Sequence, residues 1–163
     1  VDDWAALGAA IAVARTCDSK VLIESAVIGR EIDVALLQEP GGEVVAGPAL
    51  EIKVGSGFFD FDAKYRDAAA TFVIPADLTE PVAELLAETA RRVFDALGCA
   101  GLLRADFFLT MVDGRPVPVF NEVNTLPGLT EHSQFPQIWQ TAGIPYAALL
   151  DRLIATALAQ GRP

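Results

Sequence analysis

Two apolar runs separated by a turn signal constrain this chain most. Leu102-Leu103-Arg104-Ala105-Asp106-Phe107-Phe108 is apolar except at Arg104 and Asp106. Val119-Phe120-Asn121-Glu122-Val123-Asn124 is apolar except at Asn121, Glu122 and Asn124. Between them lies Asp113-Gly114, a pair suited to a tight hairpin. The pattern predicts two antiparallel strands. Side chains alternate along a strand, so Arg104 and Asp106 share a face, and so do Glu122 and Asn124. If both pairs point the same way, a guanidinium, two carboxylates and an amide converge. Spacing leaves two readings open. One is an ordinary ion pair and a polar strand end on a wet sheet face. The other is a set of oxygen donors suited to Mg²⁺ shared with phosphate oxygens.

Parity sharpens the choice. A two-residue Asp113-Gly114 turn pairs Val112 with Arg115, sets Asp106 opposite Asn121 and sends Glu122 to the far side of the sheet. Convergence therefore requires an odd-numbered turn or a bulge that shifts the register by one. A three-residue loop, Val112-Asp113-Gly114, is the expected form, with Arg104 opposite Glu122. A loop of Asp113-Gly114-Arg115 would instead set Asp106 opposite Glu122 and also keep the site.

The literal residues add to this. Arg104-x-Asp106, followed by Asn121-Glu122-Val123-Asn124-Thr125-Leu126-Pro127-Gly128-Leu129-Thr130, resembles the C-terminal active-site signature of ATP-grasp enzymes. More narrowly it resembles the D-alanine–D-alanine ligase family, and the likeness runs over nearly the whole chain. The resemblance implies an α+β fold, the C-terminal lobe of an ATP-grasp, with a mostly antiparallel sheet and helices on one side. It implies ATP and two Mg²⁺ ions (or Mn²⁺), the metals held by Asp106, Glu122 and Asn124. Arg104 and the backbone N–H of Gly128 would stabilise an oxyanion. Ser133 would lie near the second substrate's carboxylate, and it can also cap the helix that follows. The implied reaction joins two D-alanines through an acyl phosphate, for peptidoglycan precursors.

Two further stretches extend the resemblance. Residues 20–27 read as a strand running into a linker, and the segment resembles the family's adenine hinge. By that likeness Glu24, Ser25 and Val27 face adenine, and Glu31 holds the ribose hydroxyls. Glu24 also reads as an exposed strand-end carboxylate. Gly55-Ser56-Gly57-Phe58-Phe59-Asp60-Phe61-Asp62-Ala63-Lys64-Tyr65 is a loop with three phenylalanines. It folds back on the core or covers a ligand as a lid. It resembles the family's lid, which implies Lys64 on a phosphate, Phe58 near adenine and Tyr65 beside the second substrate. A neutral phenol there does not repel the ammonium of D-alanine. His132, the single histidine, is unassigned.

The rest of the chain reads as scaffold. A helix is expected over about 2–16, capped by Asp2 or Asp3, with Trp4, Leu7 and Ile11 on one face. Strands are expected at 32–38, at 44–54 with a break at Gly47-Pro48, and at 71–74. A helix over 80–97 presents Val82, Leu85, Leu86, Ala90, Val93, Phe94 and Leu97. Another spans 134–141. Pro145 opens the last helix at its first turn, with Tyr146, Leu149, Leu150, Leu153, Ile154 and Leu158 buried.

The chain has 163 residues, one domain's worth, and its net charge of -10 argues against a nucleic-acid or anionic-membrane surface. Two cysteines, Cys17 and Cys99, suit a reducing cytoplasm rather than a disulfide scaffold. No apolar run is long enough to span a bilayer. D-alanine and ATP are the expected partners, with a homodimer as the expected assembly. The chain starts at Val1, directly in helix, which with the resemblance implies the C-terminal half of a longer enzyme. The glycine-rich phosphate loop and the N-terminal domain would then precede it, and the chain alone would be inactive.

Overall fold

The chain is seen in a computed structural model, which describes residues 1, 3–54 and 70–161. The expected Asp2 cap and the loop with Phe58, Lys64 and Tyr65 lie outside the described residues. Among those described, six strands form one sheet: β1 (Arg30–Gln38), β2 (Val44–Ala46), β3 (Leu50–Val54), β4 (Ala70–Val73), β5 (Leu102–Val112) and β6 (Arg115–Asn124). The order is β4-β3-β1-β5-β6, with β2 also on β1, and these pairings are antiparallel. Four helices accompany them: α1 (Leu7–Ala14), α2 (Glu80–Ala96), α3 (Gln134–Thr141) and α4 (Tyr146–Ala159). The class is α+β.

Helices cover both faces of the sheet, not one. On one face Ile32, Val34 and Leu36 of β1 and Leu103, Ala105 and Phe107 of β5 pack beneath Leu86, Ala90 and Phe94 of α2. On the other, Ala35 and Leu37 join Leu50 and Ile52 against Phe135, Ile138 and Trp139 of α3 and Leu149 of α4. Residues 32–37 are all buried, so β1 has no wet face. A near-continuous apolar run of that kind needs cover on both sides.

Packing also narrows the expected helix faces. In α2, Leu85 stays exposed, as does Leu97 at its C-cap, while Leu86, Ala90 and Phe94 are buried. In α4, Ile154 and Leu158 are exposed; Leu149 is buried. Thr156 is buried as well, its Oγ1 donating to the Gln38 carbonyl at 2.8 Å. That bond docks α4 on the end of β1, and Pro145 stands as its N-cap rather than in its first turn. The N-terminal helix is shorter than expected, a 3-10 turn at Trp4–Ala6 and then α1, and Trp4 is 83% exposed. Asp3 does cap it, accepting from the Ala5 N–H at 3.0 Å.

The expected strand at 20–27 does not form. Leu22 and Ile23 are exposed, and no described strand pairs with the segment. A strand is stabilised by its ladder, so residues of high strand propensity do not form one without a neighbour.

The hairpin resolves the parity conflict by a route other than the expected three-residue loop. Asp113 (φ 50) and Gly114 (φ 74) both adopt left-handed backbone, as a two-residue type I′ turn requires. Val112 therefore pairs with Arg115, and the ladder continues to Phe107 opposite Phe120. Between Asp106 and Phe107 the register shifts by one. Asn121 is the extra residue, and beyond it Asp106 faces Glu122, Ala105 faces Val123 and Arg104 faces Asn124. This bulge brings Glu122 round to the face of Asp106. The register can be checked directly in a background lacking Cys17 and Cys99. Ala105→Cys with Val123→Cys is expected to close a disulfide under mild oxidation, and Ala105→Cys with Glu122→Cys is not. A crosslink in the second pair only would return the ladder to the unbulged register.

Candidate active site

The site face of the sheet is the one under α3. Arg104 and Asp106 lie on β5 at 6% and 4% exposure, and Asp106 pairs across β1 with Asp33. Burial in an otherwise apolar strand is tolerable because the charges meet. Arg104 Nε donates to Asp106 Oδ1 at 2.7 Å and Nη2 donates to Oδ2 at 2.8 Å, a bidentate pair. Asp33 Oδ2 lies 3.3 Å from the same Nε. Nη1 donates to Gln134 Oε1 at 2.6 Å. Burial works against the Arg104 charge. The hydrogen bond to Asp106 and the charges of Asp33, Asp106 and Glu122 outweigh it and hold the guanidinium pKa above its ordinary value.

Asn124 completes the inner group, its Nδ2 donating to Asp106 Oδ2 at 2.9 Å. Glu122, directly opposite Asp106, is exposed. The four residues that sequence placed together, Arg104, Asp106, Glu122 and Asn124, do meet on one face. Glu31 shares that face, two residues before Asp33 on β1 and opposite Phe108. Glu24 and Ser25 stand in the exposed segment before β1, and Val27 is half-buried there.

The loop after β6 is braced from the helical side. A Cβ on Gly128 would lie 3.0 Å from Ser133 Oγ, a tight contact relieved only if the serine side chain gives by a few tenths of an ångström. Ser133 is the N-cap residue of α3 by position, but its side chain does not cap the helix. Its Oγ instead accepts from the Thr130 N–H at 3.1 Å and lies 2.7 Å from Thr130 Oγ1. Tyr146 of α4 donates its hydroxyl to the Leu129 carbonyl at 2.8 Å. Gly128 and Ser133 are thus held as one unit beside the sheet end.

Asp106, Glu122 and Asn124 offer two carboxylates and an amide oxygen, the donor chemistry of a hard divalent cation. Ligation would need Asn124 to present its oxygen where it now presents its N–H₂. Among the described residues no three Asp, Glu, His or Cys side chains converge on one point. A cation here would therefore rely on the amide and on oxygens of a bound phosphate.

Two residues of the group escaped the sequence reading. Asp33 was legible in principle, as an acid inside the apolar run 32–37. Gln134 had no signal, because it reads as an ordinary first-turn helix residue. A separate groove of about 780 Å³ lies on the other face, lined by Ile28, Arg30, Leu78, Val82, Leu109 and Met111, away from this group.

The chain matches known proteins along nearly its whole length. A family profile described as D-ala D-ala ligase C-terminus matches residues 1–155. The chain is 47% identical over 165 residues to a D-alanine–D-alanine ligase of Nocardia farcinica, covering 99% of this chain and 44% of that protein. It is similar in structure to the VanG D-Ala:D-Ser ligase of Enterococcus faecalis, with a TM-score of 0.80 and 36% identity over 94% of this chain and 43% of that one. A Bacillus anthracis D-alanine–D-alanine ligase complexed with ATP gives a TM-score of 0.79 and 32% identity, over 97% of this chain and 49% of that one.

Proposed function

The chain belongs to the D-alanine–D-alanine ligase family, matched by that family's C-terminal domain, and from this premise we propose that it forms the ATP-using half of a ligase joining two D-alanines. The chain spans 44% of the length of the Nocardia relative. The remaining length of such a protein would supply the other ATP contacts and the site of the first D-alanine. The product would feed peptidoglycan synthesis in the cytoplasm, from a homodimer.

The observation that supports this best is the bulge at Asn121, which sets Glu122 opposite Asp106 beside the buried Arg104. Asp106, Glu122 and Asn124 would hold two Mg²⁺, which neutralise charge on the phosphate oxygens of bound ATP. Arg104, fixed by Asp106, has a second N–H on Nη1 and on Nη2 to offer to oxygen as negative charge develops. The Gly128 N–H would serve the same oxygen, and Ser133 the carboxylate of the second D-alanine. Glu24, Ser25, Val27 and Glu31 would hold adenine and ribose. By the family likeness Lys64 would hold a phosphate, Phe58 would lie near adenine and Tyr65 beside the second substrate.

In the reaction a D-alanine carboxylate oxygen attacks the γ-phosphorus and ADP leaves. The amine of the second D-alanine then attacks the acyl carbon, a proton is lost from nitrogen, and phosphate departs. The test is direct. Full-length protein with ATP, Mg²⁺ and D-alanine should release phosphate and form the dipeptide, and should prefer D-alanine over D-serine or D-lactate in competition. The 163-residue chain alone should form none. No dipeptide from full-length protein, or D-lactate winning the competition, would reject the reading.

A further inference from the structure

Arg104 is gripped by three elements: Asp106 on its own strand, Asp33 on β1 and Gln134 on α3. The bidentate contact uses Nε and Nη2, one edge of the planar guanidinium. The Nη1 corner projects beyond that edge. Gln134 is 9% exposed and takes one Nη1 hydrogen at 2.6 Å. Because the guanidinium is planar, fixing one hydrogen of Nη1 sets the direction of the other. Asp33, 3.3 Å from Nε and buried, adds charge from the opposite strand without taking the outer corner.

We propose that Gln134, supported by Asp33, is a positioning residue that aims Arg104 at the reacting oxygen. Gln134 follows Ser133 directly, so it also ties the Gly128–Ser133 segment to the guanidinium. Its side-chain oxygen supplies the acceptor that fixes the Nη1 corner. Precise aim matters because misplacement by a fraction of an ångström weakens the interaction made at the transition state. The proposal rests on the role given to Arg104 above.

The test uses the full-length protein, and the wild type must first form D-alanyl-D-alanine. If it does not, the underlying reading fails, and this inference with it. Given an active wild type, Gln134→Met keeps the side-chain length and removes the acceptor. Its kcat is expected to fall by about tenfold or more, with KM for ATP and D-alanine within about threefold. Gln134→Glu keeps an acceptor oxygen and should hold kcat within about threefold of wild type. A Gln134→Met enzyme within about twofold of wild type overturns the proposal. So does a loss that appears in KM instead of kcat, or an equal loss in the glutamate variant, which would mark a steric role. If the methionine variant does not fold, Gln134→Ala read against Gln134→Glu decides between the same outcomes.

Discussion

Glu122→Gln is expected to lower ATP turnover by the full-length protein at least about a hundredfold while leaving the fold intact. The two expectations come from different features of one residue. Glu122 lies directly opposite Asp106 but is exposed, so an uncharged isostere removes ligand charge without uncovering a buried partner. Substitutions at such exposed positions usually change stability by less than about 0.5 kcal/mol. Asp106→Asn should show a similar loss of turnover together with a lower melting temperature, because it also weakens the bidentate hold on Arg104. Turnover assays at saturating Mg²⁺, alongside thermal melts, separate the two. Near-normal turnover in both variants would falsify the metal assignment.

Arg104→Leu is expected to be the most damaging change to the molecule as a whole. It withdraws the cation from between Asp33 and Asp106, both buried, and deprives Gln134 of its donor. Breaking a buried ion pair by removing one partner costs about 3–5 kcal/mol. Against a typical domain stability of about 5–15 kcal/mol, that is a large share. Dipeptide formation should fall at least about a hundredfold in the protein that still folds. Adding Asp106→Asn to Arg104→Leu should restore part of the stability, since it removes one stranded charge, and none of the activity. A melting temperature equal to wild type for Arg104→Leu alone would show that the pair is not desolvated as its burial implies.

The sequence by itself determined the local parts. Asp113-Gly114 marks the turn, because both positions take left-handed backbone that glycine and aspartate tolerate, although the loop holds two residues and not the three expected. Alternation fixes that Arg104 shares a face with Asp106, and Glu122 with Asn124. Gly98 after α2 and Gly143 after α3 end their helices with positive φ, as their positions predict. These outcomes depend on a few neighbouring residues and on backbone sterics alone.

Tertiary structure decided how those parts meet. Parity shows that the hairpin needs one extra residue, but not where. The structure places it at Asn121. There Phe107 stacks edge-on with Phe120, ring centres 5.8 Å apart, on the α2 face, and Asp106 meets Glu122 on the other. Both contacts hold only if the slack falls between them. Asp33 joins Arg104 because β1 pairs with β5, and Gln134 joins it because α3 packs across that face. Such partners lie far apart along the chain, and their meeting depends on which sheet face each helix covers. The segment around Glu24 makes the same point in reverse. Its residues favour a strand, yet a ladder requires a second strand, and local preference cannot supply one.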